Sequence, residues 1–282
     1  MSIVTLGTED NANSRMPSPS IWKDCPTDVY DKAQMGRRYF NDFHQAVVGG
    51  ATLVLGQPGG LTAYMESDAA GDLAIKASDK GELQIIGDGS DQDVLAVTSG
   101  DNVGGVWLTP KAGSPHRLWF EARVKVNSIT DGDIGMFVGL AQPGEAKDAG
   151  GAFGGDAAAL ADVDYVGFAV LEGDGDALTW VYNEATSGTA QTGTAATLVA
   201  DTYVKVGFKV EWNDNGAARV MPYVDGVALG DSVDVAIGLA NANWPGNTAM
   251  DLLISHVVGT NGADSDVVTV DWVQIAQEYL AD

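Results

Sequence analysis

Alternating apolar and polar positions recur along much of this 282-residue chain. The clearest case extends from Tyr203 to Gly226, where two alternating segments flank the turn Asn213-Asp214-Asn215-Gly216. A period of two places alternate side chains on opposite faces of a β-strand. Asn and Gly readily adopt the positive φ that a tight turn needs. This segment is therefore predicted to be a half-buried antiparallel hairpin.

Similar short segments follow one another at nearly regular spacing, separated by clusters of Gly, Asp and Ser. No long segment has a helical period, and the pattern predicts an all-β antiparallel sandwich or jelly roll. The loop Gly87–Asp91 is expected to join Glu82–Ile86 and Val94–Thr98 as a hairpin. The predicted strands are Thr52–Leu55, Leu61–Glu66, Leu73–Lys76, Leu83–Ile86, Val94–Thr98, Gly105–Leu108, 118–126, 134–140, Tyr165–Leu171, Leu178–Asn183, the two strands of the Tyr203 hairpin, Leu252–Val258 and Val267–Ile275.

The first 45 residues differ from the rest and predict an extended N-terminal arm ahead of a sandwich at 46–282. Residues 1–20 are polar and contain two prolines, whereas residues 21–45 are rich in aromatic side chains. Asp28–Met35 is predicted to be a short helix that Gly36 ends. The stretch Asp148–Asp162 is predicted to be a surface loop or a weak helix. A sub-boundary near Gly113 is the alternative to one sandwich domain.

Charge limits the function of the chain. The formal net charge of −24 argues against nucleic-acid binding, which needs clustered Lys and Arg, and against an anionic membrane surface. Residues 1–45 carry a net charge of −1 and the remainder −23, which suggests a docking end and a solvated end. Cys25 is the only cysteine, and the polar N-terminus resembles neither a signal peptide nor a membrane span. We therefore expect folding in a cytoplasm.

No pattern typical of catalysis is present. Sandwich glycanases that resemble laminarinases carry three carboxylates on one strand in the spacing Glu-x-Asp-x-x-Glu, and the nucleophile and the acid are among them. Here Asp162 and Asp164 lack the following glutamate, and Glu121 and Glu172 stand alone. The three histidines, His44, His116 and His256, have no metal-ligand spacing. We therefore expect that the chain is not an enzyme and needs no cofactor.

Two kinds of ligand stay open on weaker signals. Pairs of Asp in Gly-containing loops are suited to calcium, although Asp and Gly are also ordinary turn residues, and plain turns are favoured. Exposed aromatic rings could stack on sugars, with Trp244 in Trp244-Pro245-Gly246 as the best candidate, although core packing is favoured for each ring. The acidic groups are Asp88/Asp91/Asp93, Asp131/Asp133, Asp174/Asp176 and Asp264/Asp266, and the other aromatic candidates are Trp107, Trp180 and Tyr182.

From Arg117 to Gln277 the chain resembles the concanavalin A-like lectin/glucanase superfamily. The residues that carry this resemblance are Trp119–Lys125, Phe137–Ala141, Tyr223–Gly226 and Val270–Val273. An aromatic arm before such a sandwich, with Trp22–Pro26 and Gly36–Phe43, resembles capsid decoration (cement) proteins and related head proteins of tailed bacteriophages.

This second resemblance implies a non-enzymatic protein that decorates or cements a phage capsid. It would be made in the host cytoplasm and would bind the major capsid protein on the outer surface of the virion as a homo-oligomer, with a trimer favoured. The alternative is a lectin-like virion module that contacts host glycans, with Trp244 at the site; a glycanase is a third, weaker reading. The implied capsid-binding residues are Trp22, Tyr30, Arg37, Arg38, Tyr39, Phe40 and Phe43.

Overall fold

A computed structural model describes most of the chain. The described residues are 10–11, 13–26, 35–43, 52–55, 61–66, 74–77, 81–87, 89–99, 105, 107–109, 117–146, 151–153, 157–186, 191–212, 218–229, 235–237, 243–245, 248–263 and 265–278.

The secondary structure is almost entirely β. Among the described residues, helical structure is limited to one turn, α1 (Pro19–Trp22), and the 3₁₀ turns Gly151–Phe153 and Glu172–Asp174. None of the helices in the described residues has the length and apolar character needed to cross a membrane. The strands are β1 (Gly36–Asn41), β2 (Thr52–Leu55), β3 (Leu61–Glu66), β4 (Ala74–Ala77), β5 (Leu83–Ile86), β6 (Val94–Thr98), β7 (Trp107–Leu108), β8 (Leu118–Val126), β9 (Ile134–Ala141), β10 (Tyr165–Val170), β11 (Ala177–Asn183), β12 (Gln191–Thr197), β13 (Val204–Trp212), β14 (Ala218–Val224), β15 (Val227–Ala228), β16 (Val235–Ile237), β17 (Ala249–Val258) and β18 (Val267–Glu278).

The strands form two antiparallel sheets. The first sheet has the order β15-β14-β13-β8-β18-β5-β4, with β1 also paired to β18 and β16 to β14. The second has the order β12-β11-β10-β9-β17-β6-β3-β2, with β7 also paired to β17. The predicted antiparallel β-sandwich is therefore confirmed.

The core lies between the two sheets, where the inward halves of the alternating strands meet. Phe120 and Phe208 stack at 5.0 Å between ring centroids, and Trp180 contacts Phe208 at 5.4 Å and Phe168 at 5.2 Å. These rings come from β8, β10, β11 and β13, so they join the two sheets. Buried aromatic side chains of this size contribute heavily to core stability.

The predicted hairpin between Leu83–Ile86 and Val94–Thr98 was wrong. Strand β5 pairs with β18 in the first sheet, whereas β6 pairs with β17 in the second, so the connection crosses from one sheet to the other. Four strands were not predicted: β1, β12, β15 and β16. Strands on both sides of Gly113 share the same sheets, while Gly113 itself lies outside the described residues.

Both sheets are also covered on their outer faces. Ala152, Phe153 and Ala157, from the stretch predicted to be a surface loop or weak helix, pack on Phe137 and Tyr165 of the second sheet. The outer face of the first sheet is covered by residues 10–11 and 13–26, here called the strap. The strap forms one part of the predicted arm, and β1 forms another.

Candidate functional site: a buried polar layer beneath the strap

The strap is seated on the first sheet by a small apolar cluster. Ile21 and Trp22 of α1 are almost fully buried, and with Cys25 they pack on Trp119 and Tyr223. Gly207 at the middle of β13 leaves the space for this contact, because a Cβ there would lie 2.8 Å from Ile21 Cδ1. The strap is therefore a fitted part of the sandwich.

Glu121 is the central polar contact of the strap. Its Oε2 accepts hydrogen bonds from the Trp22 indole Nε1 at 2.6 Å and from the Ser18 backbone N–H at 2.9 Å. The side chain is fully buried, and its Oε1 has no hydrogen-bond partner among the residues that the structure describes. A buried carboxylate oxygen without a partner is costly when the group is ionised.

This environment changes the acidity of Glu121. Burial raises the pKa of Glu121 to about 7, against the opposing effects of the Ser18 and Trp22 donors and of the Lys205 charge. Lys205 is also buried and donates to Met16 O at 3.4 Å, and burial lowers the pKa of its ammonium group. Glu121 can therefore gain or lose a proton near neutral pH.

A second buried carboxylate, Asp271, lies at a β-bulge. The register between β8 and β18 shifts between Val270 and Trp272, so one extra residue lies opposite Arg123. Asp271 is fully buried and accepts from Arg123 Nη1 at 2.6 Å. It also accepts from Arg15 of the strap, whose Nε lies 3.0 Å from Oδ2 and whose Nη2 contacts Oδ1.

The polar layer continues on both sides of these carboxylates. The Arg123 guanidinium stacks 3.8 Å from the Tyr203 ring centroid, and the Tyr203 hydroxyl donates to Glu82 Oε1 at 2.6 Å. Burial and this hydrogen bond raise the pKa of Tyr203, so the phenol stays protonated. On the other side, Lys209 Nζ forms a salt bridge with Asp24 Oδ2 of the strap at 2.8 Å.

The layer thus consists of charged side chains on the outer face of the first sheet that are paired with one another and with the strap. Sequence alternation placed Glu121, Lys205 and Lys209 on a face expected to meet solvent. The strap buries them instead. The described residues of the strap have no backbone pairing with the sheet strands, and the buried pairs help to hold them in place.

The structure divides the predicted capsid-binding residues into three groups. Trp22 and Phe43 are buried within the chain, and Tyr39 packs partly buried against the core. Arg37, Arg38 and Phe40 are exposed on β1. Tyr30 lies outside the described residues. Capsid binding by any of these seven stays a prediction.

The aromatic glycan candidates are all buried. Trp244 is 2% exposed and lies 5.6 Å from the Tyr182 ring, and Trp107 and Trp180 are also in the core. None of these four rings presents an open face for stacking on a sugar in this structure. Glycan binding at Trp244 would need a rearrangement, and it stays a prediction.

The predicted acidic pairs stabilise loops. Asp131 Oδ1 accepts from Gly175 N, Asp133 Oδ2 accepts from Ser128 Oγ, and Asp266 Oδ2 accepts from Ala263 N. Asp88 and Asp264 lie outside the described residues. Among the residues described, no group of three or more His, Cys, Asp or Glu side chains is arranged to hold a metal ion.

The isolated carboxylates have comparable roles. Glu172 Oε2 accepts from Thr260 N at 3.0 Å, and Asp162 and Asp164 accept from Asn183 Nδ2 and Ala185 N. His256 is fully buried in the sandwich, and burial lowers its pKa to about 4. His44 and His116 lie outside the described residues.

Sequence reasoning missed the polar layer, although one signal for it was available. The inward apolar positions of β18 are Val268 and Val270 and then Val273 and Ile275, so the period of two is broken once. That break marks a bulge at Asp271 and Trp272, and bulges re-aim side chains. No sequence signal indicated that the strap would cover the layer.

No protein-family model and no curated protein matches this chain. Solved structures do resemble it. Peanut lectin aligns with a TM-score of 0.53 at 12% identity, covering 88% of this chain and 99% of the lectin. An endo-1,3-beta-glucanase from Streptomyces sioyaensis aligns with a TM-score of 0.51 at 13% identity, covering 86% and 96%.

A protein of unknown function from Shewanella oneidensis MR-1 aligns with a TM-score of 0.51 at 14% identity, covering 89% of this chain and 91% of that one. At these identities the likeness shows the fold alone. The predicted concanavalin A-like lectin/glucanase sandwich is therefore confirmed.

The expectation that the chain is not an enzyme was wrong, because endo-1,3-beta-glucanases as well as lectins are among the solved structures that share its fold. The fold therefore leaves open whether the chain has catalytic activity.

Proposed function

We propose that the chain is a structural protein of a tailed-bacteriophage virion that decorates the outer surface of the capsid by binding the major capsid protein through β1. The observation that carries the proposal is an exposed Arg–aromatic pair on this strand. Phe40 is 45% exposed, and the Arg38 guanidinium lies 5.8 Å from its ring centroid. Aromatic and Arg side chains are enriched among residues that dominate binding energy at protein interfaces.

The position of β1 supports this use. Among the described strands β1 pairs with β18 alone, so it lies at an edge of the first sheet. An edge strand can present its side chains to another chain. Residues 1–45 are also nearly neutral in a molecule of net charge −24, so an interface there meets less electrostatic repulsion than one elsewhere.

Copy number would strengthen the attachment. A homotrimer presents three β1 strands, and simultaneous contacts raise the total affinity through effective concentration. Light scattering after size-exclusion chromatography measures the oligomeric state. A monomer at all concentrations would remove this part of the proposal.

Co-sedimentation with capsid shells of the phage that encodes the chain tests the binding surface. We expect the double variant Arg38→Glu/Phe40→Ser to lose at least about tenfold in affinity, as typical interface hot spots do. Val227→Ser is the matched control, because Val227 is 63% exposed on β15 in the same sheet. Equal binding of wild type and the folded double variant, or no binding of wild type, would reject the proposal.

A second candidate function, favoured by the fold likeness to peanut lectin, is glycan binding by a virion module. A glycan array with and without calcium tests it. Binding that survives Arg38→Glu/Phe40→Ser but is lost in Trp244→Ala would favour this candidate. No binding on the array with the wild-type protein would count against it.

A further inference from the structure

We propose that the strap is a pH-sensitive cover: it is docked most firmly on the first sheet while Glu121 is protonated, and it opens locally more often once Glu121 is ionised. This inference goes beyond the proposed function and does not depend on it. It rests on the way in which the strap closes over one fully buried carboxyl group.

The strap is fastened to the sheet by a few side-chain contacts. Strands in the sandwich are held by ladders of backbone hydrogen bonds, whereas the strap is held by side-chain contacts. These are the apolar cluster around Ile21 and Trp22, the Trp22 and Ser18 donors on Glu121, and the polar contacts of Arg15 with Asp271, of Met16 O with Lys205 and of Asp24 with Lys209. Ser20 Oγ adds one hydrogen bond to Gly226 O at 2.5 Å. A segment held in this way can open while the sheets remain intact.

Among these contacts, the one to Glu121 depends on protonation near neutral pH. Docking removes the carboxyl group from water and, within the described part of the chain, gives Oε1 no hydrogen-bond partner, which penalises the ionised form. When the strap is open, Glu121 lies on the solvent-facing side of the sheet and recovers the ordinary acidity of a glutamate. The docked state therefore holds the proton more tightly than the open state, and rising pH favours opening.

Other charged groups near Glu121 do not cancel this effect. Lys205 on β13 is cationic and favours ionised Glu121, and its effect is already included in the Glu121 pKa of about 7. Arg123 on β8 acts on Lys205, whose pKa it lowers. Gln274 lies opposite Glu121 on β18 and does not titrate. Asp10 of the strap and Asp225 of the turn after β14 act on Lys205.

The size of the effect follows from the two acidities. With a pKa of about 7 when docked and 4.5 when open, the opening equilibrium constant should rise about 70-fold from about pH 5 to about pH 8 and change little above that. The contact between Asp24 and Lys209 opposes opening, but it titrates outside this range, because hydrogen bonds to Glu211 and Lys209 hold the pKa of Asp24 below its ordinary value despite burial.

The chain contains its own reporter of opening. Cys25 is the only cysteine, it lies in the strap, and it is 6% exposed. Its reaction rate with a disulfide reagent, divided at each pH by the rate of free N-acetylcysteine, measures how often the strap opens. Circular dichroism in the same buffers checks that the sandwich stays folded.

We expect the normalised Cys25 rate of the wild type to rise about 70-fold between about pH 5 and about pH 8. In Glu121→Gln, which mimics the protonated acid, the rate should stay flat. In Arg15→Ala, which weakens docking but keeps Glu121, it should be higher at every pH with the same rise. A flat wild-type profile, an equal rise in Glu121→Gln, or loss of the rise in Arg15→Ala would overturn the proposal.

Hydrogen exchange of the wild-type chain gives a second test that needs no variant at Glu121. After correction for intrinsic rates, residues 13–26 should lose protection as pH rises, while β8 and β13 keep theirs. Loss of protection in all three together would mean global unfolding and would overturn the proposal, as would constant protection of residues 13–26.

Discussion

Replacing Asp271 by Asn tests whether the polar layer is an integral part of the fold. The substitution keeps the shape of the side chain and removes its charge. Arg123, which is only 7% exposed, would then be buried beside a neutral amide in place of its carboxylate partner. Removing one partner of a buried ion pair typically costs about 3–5 kcal/mol. Since domains are usually stable by about 5–15 kcal/mol, this loss would be a large part of the total.

The pair between Arg15 and the same carboxylate provides the contrast. The Arg15 side chain is 52% exposed, so solvent screens the contact, and Arg15→Ala should cost at most about 1 kcal/mol. Urea unfolding of both variants at neutral pH, analysed at a constant m value, measures the two losses. Adding Arg123→Met to Asp271→Asn should recover part of the larger loss, because it removes the uncompensated charge. Similar losses in the two single variants, or no recovery, would refute the reasoning.

Two further predictions concern packing. Gly139→Ala should destabilise the sandwich by about 1–3 kcal/mol, because its Cβ would lie 2.3 Å from Val166 O on β10. Gly173→Ala is its control in the same urea experiment, because a Cβ there has nothing within 4 Å. Phe208→Ala should cost about 3–5 kcal/mol and weaken the near-ultraviolet circular dichroism of the aromatic core, whereas Val199→Ala, at a side chain that is 61% exposed, should change neither. A loss in either control as large as in its partner would contradict the packing argument.

The strands with large apolar residues at every second position were predictable from sequence. In β8 and β13 the inward residues, such as Phe120 and Phe208, leave no alternative register, because a shift by one residue would expose all of them. Strand β12, Gln191–Thr197, contains only small and polar residues and therefore has no such signal. Strand β1 combines two arginines with two aromatic residues, and its backbone pairing with β18 determines its conformation.

Contacts between distant segments were not predictable in the same way. The sequence between β5 and β6 has the Gly and Asp content of a hairpin turn, yet the two strands join different sheets. Strand β5 pairs with the long strand β18, and β6 pairs with the long strand β17. Which sheet each short strand joins therefore depends on how the whole sandwich packs. The strap is a similar case, because Pro, Ser and charged residues in residues 10–26 are typical of a solvated segment.

The candidate site was hidden for a related reason. Period-two alternation identifies two faces of a strand, but it does not say what lies over the polar face. Lys205 and Lys209 are ordinary solvent-facing residues by pattern, and they are buried here because the strap supplies Met16 O and Asp24. A polar face that carries both signs of charge, as that of β8 and β13 does, can be paired internally and then covered.

The two proposals can be separated by experiment, although the strap and β1 are neighbours along the chain. Strand β1 is held by backbone pairing with β18 from Gly36 to Asn41, and ionisation of Glu121 removes none of those hydrogen bonds. Attachment through Phe40 should therefore be equal in wild type and Glu121→Gln at about pH 8, even if the strap opens far more often in the wild type. Co-sedimentation of both proteins with the same shells measures this. Weaker attachment of the wild type would mean that β1 detaches with the strap, and that the two segments form one cooperative unit.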